Sequence, residues 1–442
     1  MVITKRNLTR GSLFCVSKLF FTLSFILIFF ALVPVISLAA ETVDLPLSDA
    51  YQMALESNHD IRSASESVKQ GELLQKQAIT VLFPQLTANV GYSSISYQNG
   101  TESDGGSWGL SLSQTVYNGG KVWVAKRGAE YTLNAAQLGL EFARQSVLMD
   151  LIARSNELLS AEDLLKVNEK RVERVQEQLR QAQARVDLGD MPRTSVLVAQ
   201  VTLSTVQLEK VEARKGVALA RTRLSTLIGV EINPRVKIPD VVALFEDLPL
   251  KSLIDQAIED RPDLSQSREL TRIAREEAEF IRRNGHPDVE ITGSYTQYSD
   301  DNPFVPETQI GINLTWPFFQ GGLVKLQTEE YLSRVRQSEE AYGSLMDDVS
   351  LEVEEAWLTV KTRQAQEKLV ADNLSTARES HRLAKARFDL GAANSLEVLD
   401  AEEDLAEAEN LEVNYKYDRR TARSALLYSI GALDLNAFGS KN

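Results

Sequence analysis

The chain has 442 residues and a formal net charge of −14, from 62 acidic and 48 basic side chains. An acidic balance of that size argues against nucleic acid as a partner, although it also serves the plain solubility of long exposed helices. Cys15 is the single cysteine, which excludes disulfides and cysteine-based metal sites from the rest of the chain.

Lys5, Arg6, Arg10 and Lys18 form a positive leader, and the apolar run Leu19 to Val33 follows it. Ser37-Leu38-Ala39 then offers the small residues that a signal peptidase needs. The run is short for a membrane span, so residues 1–39 read as a cleaved secretory signal, cut after Ala39 or Ala40, and not as a retained anchor. Those residues carry four positive and no negative side chains, so their loss takes the net charge from −14 to −18. Cys15 leaves with them and cannot anchor a lipid. No later stretch holds 18 consecutive apolar residues, which excludes a helical membrane protein. A role in a membrane would fall to β-strands.

The exported part reads as two copies of one unit. Pro46-Leu47 matches Pro249-Leu250, Asp60-Ile61 matches Asp263-Leu264, and Pro84 matches Pro287, all 203 residues apart. Gly119-Gly120 matches Gly321-Gly322, Asp187-Leu188-Gly189 matches Asp389-Leu390-Gly391, and Ile228-Gly229 matches Ile430-Gly431, all 202 apart. The one-residue change falls at a hairpin tip, where insertions are tolerated. The pattern predicts a first repeat over 40–229, a linker over 230–249, a second repeat over 250–431 and a short tail over 432–442. The linker carries Pro234, Pro239 and Pro249 and no helical period; the tail is expected to pack near it.

Each repeat opens with a helix. The first is expected over 47–80 with Ser48 as N-cap and Pro84 as its stop. A β-hairpin over 85–117 follows. Leu86, Ala88, Val90 and Tyr92 alternate with Gln85, Thr87, Asn89 and Ser93; Asn99-Gly100 and Asp104-Gly105-Gly106 mark the turn; Trp108, Leu110, Leu112 and Val116 then alternate with Ser111, Ser113 and Thr115. The second hairpin, over 288–318, repeats this with Val289, Ile291, Tyr295, Ile310, Ile312, Leu314, Trp316 and Phe318 facing away from Asp288, Glu290, Thr292, Ser294, Asn313 and Thr315. Strands of about 11 residues suit a tilted bilayer crossing, with lipid on the apolar face and water on the other. A soluble hairpin with its apolar face on a core gives the same alternation.

Lys121 to Leu188 contains no proline, and Leu151, Leu158, Leu165, Val172, Leu179 and Val186 recur every seven residues. That period predicts a coiled-coil-like helix of about 100 Å. Its counterpart over 323–390 keeps Val353, Val360, Leu374 and Phe388 but is interrupted by Glu367 and His381. Shorter helices, one over about 194–228 in the first repeat, follow each. The short helices before the hairpin and after the long helix together match one long helix, so they are expected to stack end to end beside it. Four strands cannot close a barrel, and lipid forbids open sheet edges. The strands must therefore be pooled among chains, with 8, 12 or 16 strands for a dimer, trimer or tetramer.

Taken together, these residues resemble the TolC family of outer-membrane efflux and secretion channels. The resemblance spans about 44–433 and rests on Leu47-Ser48-Asp49-Ala50 with Ala54 and Asn58, and on Phe83-Pro84. It rests equally on the turns Tyr117-Asn118-Gly119-Gly120 and Phe319-Gln320-Gly321-Gly322, and on Val186-Asp187-Leu188-Gly189 and Phe388-Asp389-Leu390-Gly391. It implies a mixed α+β membrane protein: a homotrimer whose 12-stranded β-barrel, four strands per chain, continues as a long α-helical, coiled-coil-like periplasmic barrel. It implies a passive exit duct in the outer membrane of a Gram-negative bacterium, surrounded by outer-membrane lipid and extending into the periplasm. The duct would be engaged by a periplasmic adaptor and by an inner-membrane ABC or proton-driven pump.

The family further implies an acidic ring at a periplasmic gate, here Glu397 and Asp400, which are three apart and so share one helix face. Rings of carboxylates favour cations; the acidic run from Glu402 to Glu409 also fits an ordinary solvated face. The Arg and Asp that tie the mouth in family members would fall at Ala393 and Ser195, with Thr194 and Asn394 as gate neighbours, and those types do not restore the pair. Adaptor contact would involve the turns at Gly189, Asp190, Gly391 and Ala392. Gly119, Gly120, Gly321 and Gly322 make the strand-to-helix turns. No enzyme is indicated. His59, His286 and His381 are scattered, and no phosphate loop or nucleophile elbow is present, so no cofactor or metal is expected. The alternatives are a periplasmic coiled-coil adaptor or scaffold, or an envelope receptor without a pore that binds through the hairpin tips near Asn99 and Asp300.

Overall fold

The computed structural model describes residues 43–96, 102–230, 234–237, 248–299 and 305–435. The signal assigned to 1–39, both hairpin tips with Asn99-Gly100, and the end of the tail lie outside the described residues. In chain order the elements are β1 (Val43–Pro46), α1 (Leu47–Ser57), α2 (His59–Ala78), β2 (Gln85–Ser96), β3 (Glu102–Asn118), α3 (Lys121–Asp187) and α4 (Arg193–Ile228). There follow β4 (Pro234–Lys237), α5 (Leu250–Asp260), α6 (Pro262–Arg282), β5 (Asp288–Ser299), β6 (Val305–Thr315), α7 (Leu323–Asp389) and α8 (Ser395–Ser429).

The single helix expected over 47–80 is two. Asn58 is extended, at φ −68° and ψ 129°, and its side chain caps α2 by accepting from the backbone N–H of Asp60 and Ile61. In the second half the break falls at Arg261, because Pro262 pushes the residue before it out of the helical region and then serves as a first helical residue. Ser48 is not an N-cap; Pro46 occupies that position, and Ser48 bonds its neighbour Asp49 instead. Both breaks sit where a half-length helix arrives from elsewhere in the chain. Ser57 donates to the Leu227 carbonyl at the end of α4 (3.3 Å), and Arg261 donates to the Ser429 carbonyl at the end of α8 (3.1 Å). The half-length helices are therefore stacked along the long ones, α2 and α4 on α3, and α6 and α8 on α7.

The long helices have 67 residues each, about 100 Å at 1.5 Å per residue. Leu151, Leu158, Val353 and Val360 of the seven-residue series are buried in one apolar cluster that also holds Leu224, Leu264 and Leu426. The interruptions are absorbed by polar contacts to α8: Glu367 pairs with Arg419, and His381 lies 3.1 Å from Glu402. The expected linker contains β4, which pairs in parallel with β1; its Val236 is buried in the same cluster as Leu433 of the tail.

β2, β3, β5 and β6 form one antiparallel sheet in that order. Asp104-Gly105-Gly106 lies within β3, opposite Ser94, Ser93 and Tyr92, and not in a turn; extending the ladder satisfies more backbone groups than an early turn does. β6 stops at Thr315, so Trp316 and Phe318 lie beyond the strand. Pro317 follows, and its missing N–H cannot continue the ladder. The apolar face is bare: Leu86, Val90 and Ile310 are 69%, 88% and 83% exposed. Among the described residues, no buried apolar cluster includes a residue of this sheet.

Candidate functional site

The chain reverses direction at the far end of the two long helices, and the expected gate residues collect there. α3 ends with Gly189 at φ +81°, its N–H on the Val186 carbonyl (3.0 Å) and that of Asp190 on the Arg185 carbonyl (2.9 Å). α7 ends alike: Gly391 is at φ +73°, its N–H is on the Phe388 carbonyl (2.9 Å), and that of Ala392 is on the Arg387 carbonyl (2.8 Å). Both are helix ends that only glycine closes without strain. Gly189, Asp190, Gly391 and Ala392 are all exposed.

The two re-entries differ. Asn394 caps α8 by accepting from the Glu397 N–H (2.9 Å). α4 is opened by Pro192 with no side-chain cap, leaving Thr194 exposed and the Ser195 N–H on the Pro192 carbonyl (3.0 Å). Phe388 is fully buried with Ala384, Val398 and Ala401, and Met191 and Ala393 pack against that cluster.

Glu397 and Asp400 do not share one environment. Glu397 is half-buried and paired with Arg387, whereas Asp400 is exposed. Two arginines missed in the sequence organise this end. Besides holding Glu397, Arg387 reaches the Ala392 carbonyl (3.4 Å). Arg185 donates to the Asp389 carbonyl (3.1 Å) and lies 4.1 Å over the Phe388 ring, tying the end of α3 to the end of α7. Ala393 and Ser195 carry no such bond between them; Arg185 joins the two halves from another position. The available signal was that both arginines occupy a last helical turn, where a cation meets free carbonyls.

The acidic run of α8 is divided by helix face. Asp404 and Glu407 are exposed. Glu402 is 4% exposed and takes two hydrogen bonds from Arg174 (2.7 and 2.9 Å) and one contact from His381 (3.1 Å). Arg174 also reaches Glu409 (2.9 Å), and Arg171, 6% exposed, joins Glu209 to Glu403. Burial works against the Arg174 charge, but Glu402 and Glu409 outweigh it and hold its pKa above the ordinary guanidinium value. The seam between α3 and α8 is thus ionic here. Within each helix pair the seam has an apolar centre, Val172, Val175 and Val206 between α3 and α4, and Leu374, Ala377, Leu405 and Ala408 between α7 and α8, flanked by ion pairs such as Arg171 with Glu209 and Arg378 with Glu412.

At the opposite end, Gly119, Gly120, Gly321 and Gly322 make the strand-to-helix turns, all at φ between +60° and +87°. A Cβ on Gly119 would lie 2.6 Å from that of His286, and Gly120 is covered by the Arg283 guanidinium, which donates to the Gly119 carbonyl (3.0 Å). Gly321 and Gly322 have nothing over them within 4 Å. Among the described residues, no three His, Cys, Asp or Glu side chains are placed to hold a metal ion, and no helix is long and apolar enough to cross a membrane.

The outer membrane protein TolC of Escherichia coli K12 is 24% identical over 410 residues, covering 86% of this chain and 82% of that protein. The alkaline protease secretion protein AprF of Pseudomonas aeruginosa is 23% identical over 415 residues, 88% of this chain and 85% of its own. The crystal structure of the Campylobacter jejuni CmeC outer membrane channel superposes with a TM-score of 0.76 at 19% identity, over 87% of this chain and 85% of that one, which shows a shared fold. The family model described as outer membrane efflux protein matches twice, over residues 50–230 and 253–432, so the chain belongs to the outer membrane efflux protein family.

Proposed function

We propose that the chain is one third of a passive exit duct in the outer membrane of a Gram-negative bacterium, used for efflux or type I protein secretion. The observation that carries the membrane assignment is the sheet. Its large apolar side chains lie bare on one face, and among the described residues no buried core lies beneath them. In water such a face is an aggregation hazard; in hydrocarbon it is the lipid-facing wall of a barrel. The same face speaks against a periplasmic scaffold or a pore-less receptor.

Residues 1–39 serve as the export signal in this reading, and 40–229 and 250–431 are two repeats joined by 230–249, with 432–442 as a tail. β2 and β6 are sheet edges that neighbouring copies complete. What supports this is the unequal cover of the two glycine turns. Within the chain, Gly119-Gly120 is capped by residues 283–286. The residues 203 positions earlier, 80–83, include the exposed Val81 and Phe83, and they suit the open Gly321-Gly322 of a neighbour. Likewise α3 packs on α8 within the chain, and the exposed Leu197, Val201, Leu208 and Val211 of α4 suit the exposed Leu351, Leu358, Leu369 and Leu383 of a neighbour's α7. Three copies, the number that the family resemblance implies, would give 12 strands.

Glu397 and Asp400 form the acidic ring at the periplasmic mouth, with Thr194, Ser195 and Asn394 beside it. The exposed turns at Gly189, Asp190, Gly391 and Ala392 receive a periplasmic adaptor, which links the duct to an energised inner-membrane pump. Replacing Glu397 and Asp400 together by alanine is expected to weaken cation preference in planar bilayers, with Asp400→Ala alone giving most of the effect because Glu397 already holds Arg387. Unchanged reversal potentials would reject the ring. A detergent-extracted protein that runs as a monomer on an unheated gel would reject the pooled barrel.

A further inference from the structure

Arg185 and Arg387 are counterparts, 202 residues apart, in the last turns of the two long helices. The turns they stand on are alike. Gly189 and Gly391 end α3 and α7 in the left-handed region, and α4 and α8 begin at Arg193 and Ser395, again 202 apart. A cation in such a last turn meets carbonyl groups that the helix leaves free. The two guanidiniums nevertheless do different things. Arg387 stays within its own turn, paired with Glu397 and donating to the Ala392 carbonyl (3.4 Å). Arg185 crosses to the other half of the chain, where it donates to the Asp389 carbonyl (3.1 Å) and lies 4.1 Å over the Phe388 ring.

One position accounts for the difference. The counterpart of Glu397 is Ser195, which is shorter and uncharged. A carboxylate at the start of α8 holds Arg387 at home; the same place at the start of α4 offers none, and Arg185 reaches the neighbouring helix end instead. Its landing place is firm. Phe388 is fully buried with Ala384, Val398 and Ala401, and Met191 of the first half packs on that cluster. Farther up the column Arg171 and Arg174 join α3 to α8. Arg185 carries that junction down to the turns themselves. A bond from the tip of α3 to a backbone carbonyl at the tip of α7 resists any movement of one tip away from the other. It needs neither the Arg nor the Asp that Ala393 and Ser195 lack.

Resting on the duct reading, we propose that Arg185 is the positioning residue that holds the periplasmic mouth narrow, and that Ser195, standing where the other repeat has Glu397, is what leaves it available for that task. The latch is a cationic hydrogen bond reinforced by contact with an aromatic face. A carboxylate placed at 195 would draw Arg185 back into its own turn, as Glu397 does with Arg387, and would release the tip of α7 without removing the arginine.

The test is single-channel recording of the full mature protein in planar bilayers at 1 M KCl, where screening within about 3 Å keeps a changed charge from imitating an opened mouth. Arg185→Ala and Ser195→Glu are each expected to raise the fraction of time spent at high conductance about tenfold, the effect of losing one cationic hydrogen bond from the narrow state. Ser195→Gln, with the same bulk and no charge, is expected to raise it far less, and Arg185→Lys, which keeps a donor but loses the planar stack, to fall between Arg185→Ala and the unmodified protein. The double variant Arg185→Ala with Ser195→Glu is expected to go no further than Arg185→Ala alone, because both act on one contact. Should Arg185→Ala fail to assemble, Ser195→Glu still reads the latch, since it leaves the arginine in place. No rise in Ser195→Glu, or rises that add in the double variant, would overturn the latch and leave the duct standing. Absence of any conductance in the unmodified protein would overturn the duct reading, and the latch with it.

Discussion

Asp163 on α3 shows how one carboxylate fastens two halves of the chain. Burial by itself would raise its pKa, but hydrogen bonds from the Tyr417 hydroxyl (2.7 Å), Lys166 (2.9 Å) and Lys416 (3.3 Å) prevail and bring it down from 3.8 to about 2. A carboxyl whose pKa is lower folded than unfolded stabilises the fold above its unfolded pKa. That contribution is lost as pH falls through the folded pKa. The expected window lies between about pH 4 and about pH 2. In thermal melts across that window, Asp163→Asn should start less stable and show a shallower decline than the unmodified protein. Parallel declines would show that the Tyr417 and lysine contacts carry no linkage.

At the scale of elements, the two helix pairs share one apolar cluster in the middle of the column and meet along an ionic seam towards the gate end. α3 with α4, and α7 with α8, bury valine, leucine and alanine between them, whereas α3 meets α8 through Arg171, Arg174, Glu402, Glu403 and Glu409. Removing one member of a buried ionic set leaves its partner uncompensated, which costs more than the intact set contributes. Glu402→Leu strips His381 of its carboxylate and leaves Arg174 with Glu409 alone. It should lower stability by about 3 kcal/mol, read as a shift in the urea midpoint. Glu403→Leu removes a carboxylate whose side chain is 67% exposed and should shift the midpoint far less. Shifts that are small for both would mean that the seam is a solvated surface.

For the whole molecule, the proposed assembly repeats between subunits what one half of the chain does to the other inside a subunit. Phe83 is 59% exposed and Leu326 64% exposed, and both lie beside turns whose counterparts are covered. Phe83→Asp and Leu326→Asp should each leave the helical content unchanged by circular dichroism and abolish the oligomer band on an unheated gel. An oligomer that survives both would place the subunit contacts elsewhere.

Much of this architecture was legible from end to end of the sequence, because its signals are local and periodic. The seven-residue series marked both long helices to within a residue of their ends, since Gly189 and Gly391 terminate helices by backbone conformation alone. The alternation of Leu86, Val90, Ile310 and Leu314 with polar neighbours marked the strands, because the side-chain period of a strand is two. Ser48 misled, since a cap is decided by where the preceding strand delivers the chain; Asp104-Gly105-Gly106 misled, since a ladder already under way captures turn-forming residues. Only the tertiary structure decided which carboxylates are free. Glu397, Asp400, Glu402 and Asp404 are chemically alike and adjacent in sequence, yet an arginine ten residues back takes the first and one 228 residues back takes the third, while Asp400 and Asp404 stay exposed. Such pairings are set by which helices lie side by side, and that is fixed by packing across the whole chain, not by local composition.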